Sequence, residues 1–143
     1  MGFYVDVVGW RRILSEVPLS GPDVLQELGI EGRREVVAWR VNRYLRSLDW
    51  TIDEDATVEL VDASSSEGME VYRRTLSFLL VLACRQALGC QISIRHSISN
   101  AYYCELSTGP ASADQVSRIR RAMRELVAQD ISIRRIVVSL DKA

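Results

Sequence analysis

The stretch HSISNAYYCEL, residues 96–106, gathers most of the side chains in this chain that could do acid–base or nucleophilic chemistry. His96 is the one histidine among 143 residues, and Tyr102, Tyr103, Cys104 and Glu105 follow closely. An imidazole beside a thiol can take its proton and leave a thiolate nucleophile. Whether the two groups meet depends on the turn between them. Residues 91–98 alternate as a strand, Asn100-Ala101 turns the chain, and residues 102–106 return as the hairpin partner. A two-residue turn at Ser99-Asn100 sets His96 opposite Tyr103 and sends Cys104 to the other face of the ladder; a three-residue loop sets His96 opposite Cys104. Alanine where a tight turn favours glycine leaves both registers open. No third group is placed to orient the pair, so catalysis by a Cys–His dyad is not expected. The candidate ligand-binding residues are instead His96, Asn100, Tyr102 and Tyr103. Aromatic rings stack bases, and hairpin tips often carry binding residues. The alternative is a packed hairpin whose tyrosines serve strand propensity.

Other chemistries are narrowed by counting. One histidine rules out H-x-x-x-H and H-E-x-x-H, and Cys90, His96 and Cys104 do not have zinc-site spacing, so no metal or other cofactor is expected in this chain. Cys84, Cys90 and Cys104 are odd in number and form no C-x-x-C, which fits free thiols in a reducing compartment. Of the 18 basic residues, 17 are arginine and the sole lysine is Lys142. No G-x-x-x-x-G-K-[ST] string occurs, which excludes a P-loop within these residues. The formal net charge of −1 gives no global pull toward nucleic acid. Locally, Arg118, Arg120, Arg121 and Arg124 form either a solvated helix face, with Arg121 and Glu125 as an i,i+4 pair, or an RNA phosphate track. Arg73 and Arg74 open a long helix and are further candidates, to tie domains together or contact a partner.

These side chains must be positioned by elements that the rest of the chain encodes. Residues 3–9 and 12–17 read as strands. SGPDVLQELG reads as a helix, with Ser20 or Gly21 as cap, Pro22 and Asp23 in its first turn, and Gly29 as its stop. Residues 35–42 and 56–61 are further strands, with a turn at Asn42-Arg43. The order strand, strand, helix, strand, strand is that of a β-grasp, closed by parallel pairing of the first and last strands. The serine-rich stretch 62–70 is the expected linker. Residues 68–88 read as a helix, apolar nearly all round and therefore buried. On the hairpin strand, Ile92, Ile94 and Ile98 are expected inward. Ser112 and Gln115 form a capping box for a second helix with Val116, Ile119, Met123, Leu126 and Val127 on one stripe. Residues 131–140 read as a closing strand. The longest apolar run, 78–84, is far short of the ~20 residues that a membrane span needs, and the basic residues of the first segment come too late for a signal peptide. A cytoplasmic protein without a membrane partner is expected.

These pieces carry a resemblance. Residues 1–62 resemble a TGS domain, the β-grasp module named after threonyl-tRNA synthetase and two GTPase or stringent-response families, through SGPDVLQELG and VVAWRVNRYLRSLDWTIDEDATVELVD. Residues 68–143 resemble the start of the synthetase's second additional domain, through RRTLSFLLVLACRQAL, ISIRHSISNAYYCEL and IRRAMRELVAQDISIRR. VYRRTLSFLLVLA and HSISNAYYCEL are also similar to the N-terminal region of uridine kinase-like P-loop nucleoside kinases, which carry both domains ahead of the kinase. The fold class implied is α+β: a TGS-like domain followed by a partial editing-type domain.

Departures from the resemblance bear on function. The synthetase editing site uses H-x-x-x-H on the long helix, and the aligned positions here are Thr75 and Leu79, neither of which can act as base or metal ligand. The resemblance therefore implies a non-catalytic regulatory or ligand-binding module, cut from a uridine kinase-like nucleoside kinase whose nucleotide- and ATP-binding P-loop domain would be its partner within the same polypeptide. The alternatives are a synthetase-type editing domain that hydrolyses mischarged tRNA, or a TGS protein that binds RNA.

Overall fold

The computed structural model describes residues 1–99, 101–134 and 136–142. The chain divides into two compact units, Met1–Thr75 and Leu76–Ala143. Its class is α+β.

The first unit contains β1 (Phe3–Val7), β2 (Arg12–Ser15), α1 (Gly21–Glu27), β3 (Val36–Val41), β4 (Tyr44–Arg46) and β5 (Ala56–Asp62). The strands form one mixed sheet in the order β2-β1-β5-β3-β4. The expected closure is present: β1 and β5 run parallel, with Val5 beside Ala56 and Val7 beside Val58. Alternation along these strands sends Val5, Trp39 and Val58 inward, where they are fully buried with Val24 of α1. Ser20 caps α1 in a complete capping box with Asp23, which satisfies amide groups that the first helical turn leaves open. β3 and β4 are joined at Asn42 and Arg43, both in the left-handed region at φ 47° and 73°. That conformation matches the twist of the two strands, as in primed hairpin turns. The Asn42 side chain also accepts the Thr57 amide at 2.9 Å.

The helix α2 (Ser66–Leu88) starts inside the serine-rich stretch, so only Ala63, Ser64 and Ser65 separate it from β5. Ser65 Oγ accepts the Gly68 amide and donates to the Asp62 carbonyl. A Cβ on Gly68 would lie 2.0 Å from that carbonyl oxygen, so only glycine permits this close entry into the helix. Arg40 of β3 pairs with Glu59 of β5 and with Glu67 in the first turn of α2.

The second unit holds the remainder of α2, the hairpin strands β6 (Ile92–Ile98) and β7 (Ala101–Leu106), and α3 (Ala113–Ala128). Its core brings Ala83 and Cys84 of α2 together with Cys90, Leu106, Ile119 and Leu126. Ser112 and Gln115 form the expected capping box. Three expectations are corrected here. The long helix is not buried all round: Phe78 is 60% and Val81 43% exposed, because the packing partners in this unit cover one face only. On the α3 stripe, Ile119 and Leu126 are buried, but Val116 and Val127 are exposed, and the Arg121–Glu125 pair is not formed among the described ion pairs. Residues 131–134 and 136–139 form no strand, and a short 3-10 turn follows at Leu140–Lys142. Alternation alone does not make a strand; it needs hydrogen-bonded pairing with a neighbour, and the described pairings of β6 and β7 are with each other. Among the described residues, no helix is long and apolar enough to cross a membrane.

Candidate functional site

The geometry of the hairpin follows from one inserted residue. Ile98 pairs with Ala101, Ser97 with Tyr102 and His96 with Tyr103, the register of the two-residue turn. Between Ile94 and His96 the register shifts, so that Ile94 pairs with Cys104 and Arg95 is the extra residue of a β-bulge. Strand alternation alone puts His96 on the face of Ile94 and Cys104. The bulge moves it to the face of Tyr103 and Glu105. The same shift carries Ile98 outward, where it is 55% exposed, correcting the expectation that it points to the core.

The hairpin therefore has two unlike faces. On the outer one, the His96 and Tyr103 rings stack with centroids 5.2 Å apart and planes 28° from parallel. Arg95 Nε donates to Glu105 Oε2 at 2.9 Å. Hydrogen bonding from Arg95, then from the Tyr103 hydroxyl, holds the Glu105 carboxyl below its ordinary pKa. The reciprocal bond to Glu105 pushes the Tyr103 phenol upward. This is a small charged-aromatic platform, with Tyr103 43% exposed.

On the inner face, Ile92, Cys104 and Leu106 meet Leu80, Val116 and Ile119 around a mainly apolar cavity of ≈ 470 Å³. Burial pushes the thiols of Cys104 and Cys84 upward, away from the thiolate. His96 and Cys104 face opposite ways, so no Cys–His nucleophile is assembled. Among the described residues, no three His, Cys, Asp or Glu side chains gather as a metal site.

Of the candidate residues, His96 and Tyr103 are thus brought together. Tyr102 lies on the Cys104 side of the ladder, 41% exposed. Asn100 lies outside the described residues. Arg74 pairs with Glu70 one helical turn away, and Arg73 is half-buried; both belong to the first unit. Sequence reasoning missed Arg95 and Glu105, whose pairing is cross-strand and depends on the bulge. It also missed Tyr44, Arg46 and Trp50 of the first unit, where the Arg46 guanidinium lies 4.5 Å from the Trp50 ring centroid and 5.5 Å from that of Tyr44. The only signal was aromatic and arginine side chains at alternate positions of a short strand.

An α+β chain whose first and last sheet strands pair in parallel, followed by helix, hairpin and helix, is the class defined so far. Comparison with known proteins narrows it. No protein-family model matches the chain. Among curated proteins, it is similar to the threonine–tRNA ligase of Syntrophotalea carbinolica, 30% identical over 139 residues, covering 94% of this chain and 22% of that protein. It is 29% identical over 130 residues to the threonine–tRNA ligase of Parvibaculum lavamentivorans, covering 90% of this chain and 20% of the relative. The Marinobacter nauticus threonine–tRNA ligase matches at 26% over 137 residues, 94% and 21% of the two chains. The chain thus spans about a fifth of the length of the curated relatives it matches. It is a small module like the TGS and editing-type part of threonine–tRNA ligases. This corrects the expected parentage: repeated similarity to these ligases along most of the chain overturns the uridine kinase-like reading, together with its ATP-binding and kinase-domain corollaries.

Proposed function

We propose that this chain is a threonine–tRNA ligase-type module that holds tRNA without hydrolysing its aminoacyl ester. In this reading residues 1–62 are a TGS-like β-grasp domain and residues 68–143 the first part of an editing-type domain. The observation that carries it is the similarity to threonine–tRNA ligases over nine-tenths of the chain, combined with a histidine count of one, which leaves no H-x-x-x-H pair in these residues; the resemblance puts Thr75 and Leu79 where such a pair would stand. A threonine hydroxyl and a leucine side chain can neither activate water nor bind a metal as imidazoles do. Support also comes from Cys104, whose half-buried thiol is pushed upward in pKa by desolvation and lies on the face away from His96.

The contact residues in this reading are His96 and Tyr103, with Arg95 beside them. Stacked rings on an exposed hairpin face give a base a flat surface, and Arg95, whose Nε is held by Glu105, has its terminal N–H groups left for a phosphate. Tyr102, Asn100, Arg73 and Arg74 remain secondary candidates. The test pairs two measurements on the same protein: binding of tRNA(Thr) by fluorescence anisotropy, and release of serine from Ser-tRNA(Thr). The expected result is salt-sensitive binding, weakened about tenfold by His96→Ala with Tyr103→Ala, and ester loss no faster than without protein. Absence of tRNA binding overturns the proposal. So does turnover that His96→Ala abolishes, which would establish an editing hydrolase.

A further inference from the structure

We infer that the first unit carries its own single-stranded RNA contact, built from Tyr44, Arg46 and Trp50 at the open edge of the sheet. The inference rests on the tRNA-binding reading for its class of partner but concerns a site that reading does not use. β4 is an outer strand of only three residues. Tyr44 is 67% and Trp50 49% exposed. The Arg46 guanidinium lies against both rings, so its faces are occupied by π systems while its N–H edges stay open; it has no acid partner among the described residues. A guanidinium oriented in this way offers two parallel donors to a phosphate. The free ring faces of Tyr44 and Trp50 offer surfaces on which bases stack.

The cluster is held in place from beneath. The indole Nε1 of fully buried Trp39 donates to the Ser47 carbonyl at 2.9 Å, and the Trp50 amide donates to the same carbonyl at 3.0 Å. The Gly21 amide donates to the Leu48 carbonyl at 2.7 Å, an approach so close that a Cβ on Gly21 would collide with Leu48. Leu19 and Ile52 exchange two backbone hydrogen bonds at 2.9 and 2.8 Å. The loop after β4 is therefore anchored at both ends, and the aromatic side chains leave a rigid base, which lowers the entropy lost when a partner binds. Arg43, just before β4, keeps a left-handed backbone that a β-carbon disfavours, and it too has no acid partner among the described residues.

Arg46 and Arg43 are the two guanidinium groups here without an acid partner among the described residues, which limits the site to one or two phosphates beside stacked bases. This gives a measurable signature. For single strands, log K falls with log salt by about 0.7 per phosphate neutralised, so the slope here should lie between about −0.7 and −1.4.

The probe is a short fluorescein-labelled single-stranded RNA of mixed sequence, with intact tRNA(Thr) in parallel. Anisotropy should show binding weakened about tenfold by Trp50→Ala and by Tyr44→Ala, and clearly by Arg46→Lys, which keeps the charge but loses the fork. Quenching of tryptophan emission by the oligonucleotide should be lost in Trp50→Phe, a conservative change that leaves the anchoring bonds in place. Circular dichroism melting checks that each variant folds. If the oligonucleotide binds wild type and all four variants alike, the inference is overturned. Should tRNA binding depend on His96 and Tyr103 while the Tyr44, Arg46 and Trp50 variants behave as wild type, this site fails and the tRNA-binding reading stands. If neither RNA binds wild-type protein, both fail, and the cluster is left as a surface for a protein partner.

Discussion

Glu105 lies between a guanidinium and a phenol, and both lower its pKa. Because the folded-state value is depressed, the bond's contribution to the hairpin is complete above the ordinary carboxylate range and is lost as pH falls through the folded value. Arg95→Ala removes the larger cause. The expected outcome is a Glu105 carboxyl that titrates at higher pH than in wild type, read from its side-chain carbon shift by NMR. The Tyr103 phenol should remain perturbed upward, since its cause is Glu105 itself. If Glu105 titrates identically in both proteins, Arg95 does not set its charge, and the outer face is not the coupled cluster described above. Residue types alone made His96 and Cys104 look like partners. Their separation is a property of backbone register, which no side chain declares.

At the level of elements, the capped helices were the most legible parts. Ser20 with Asp23 and Ser112 with Gln115 announce their helices because the capping chemistry is local, three residues long and nearly independent of the rest of the fold. Ser112→Ala should therefore destabilise the second unit by about 1 kcal/mol, with little effect on the first; urea titration followed by hydrogen exchange on α3 would show it. Gly68→Ala should be more severe, at least about 2 kcal/mol, because the new methyl meets the Asp62 backbone and cannot rotate away. A Gly68→Ala melting curve matching wild type would mean that the entry into α2 is less constrained than its geometry indicates. Legibility ended where structure depends on distant partners. The bulge at Arg95 has no glycine or proline to mark it. The exposed face of α2 reads as core because Phe78, Leu79, Leu80 and Val81 are all apolar, whichever side finds a partner. The Arg46 cluster needs the turn after β4 to bring Trp50 back, and that turn is fixed by Trp39 from inside the core.

Across the molecule, charge and apolar exposure act together on solution behaviour. The formal net charge is −1 and the calculated isoelectric point ≈ 5.9, so self-repulsion is weak near neutral pH and smallest slightly below it. Residues 131–134 and 136–140 leave Ile131, Ile133, Ile136, Val137, Val138 and Leu140 exposed, Val137 at 86% and Leu140 at 98%. A β-branched, unpaired stretch of this kind is a template for pairing with another chain. Self-association should therefore rise as pH is lowered from 8 toward about 6, where net charge vanishes. Replacing Ile133 and Val137 by glutamate should reduce it severalfold in static light scattering. A matched control, Ser117→Glu with Gln129→Glu, adds the same charge at exposed polar positions of α3 and its cap. If the control protects equally well, net charge alone governs association. If only Ile133→Glu with Val137→Glu protects, the apolar segment supplies the contact and charge merely modulates it, which is the outcome the exposed side chains favour.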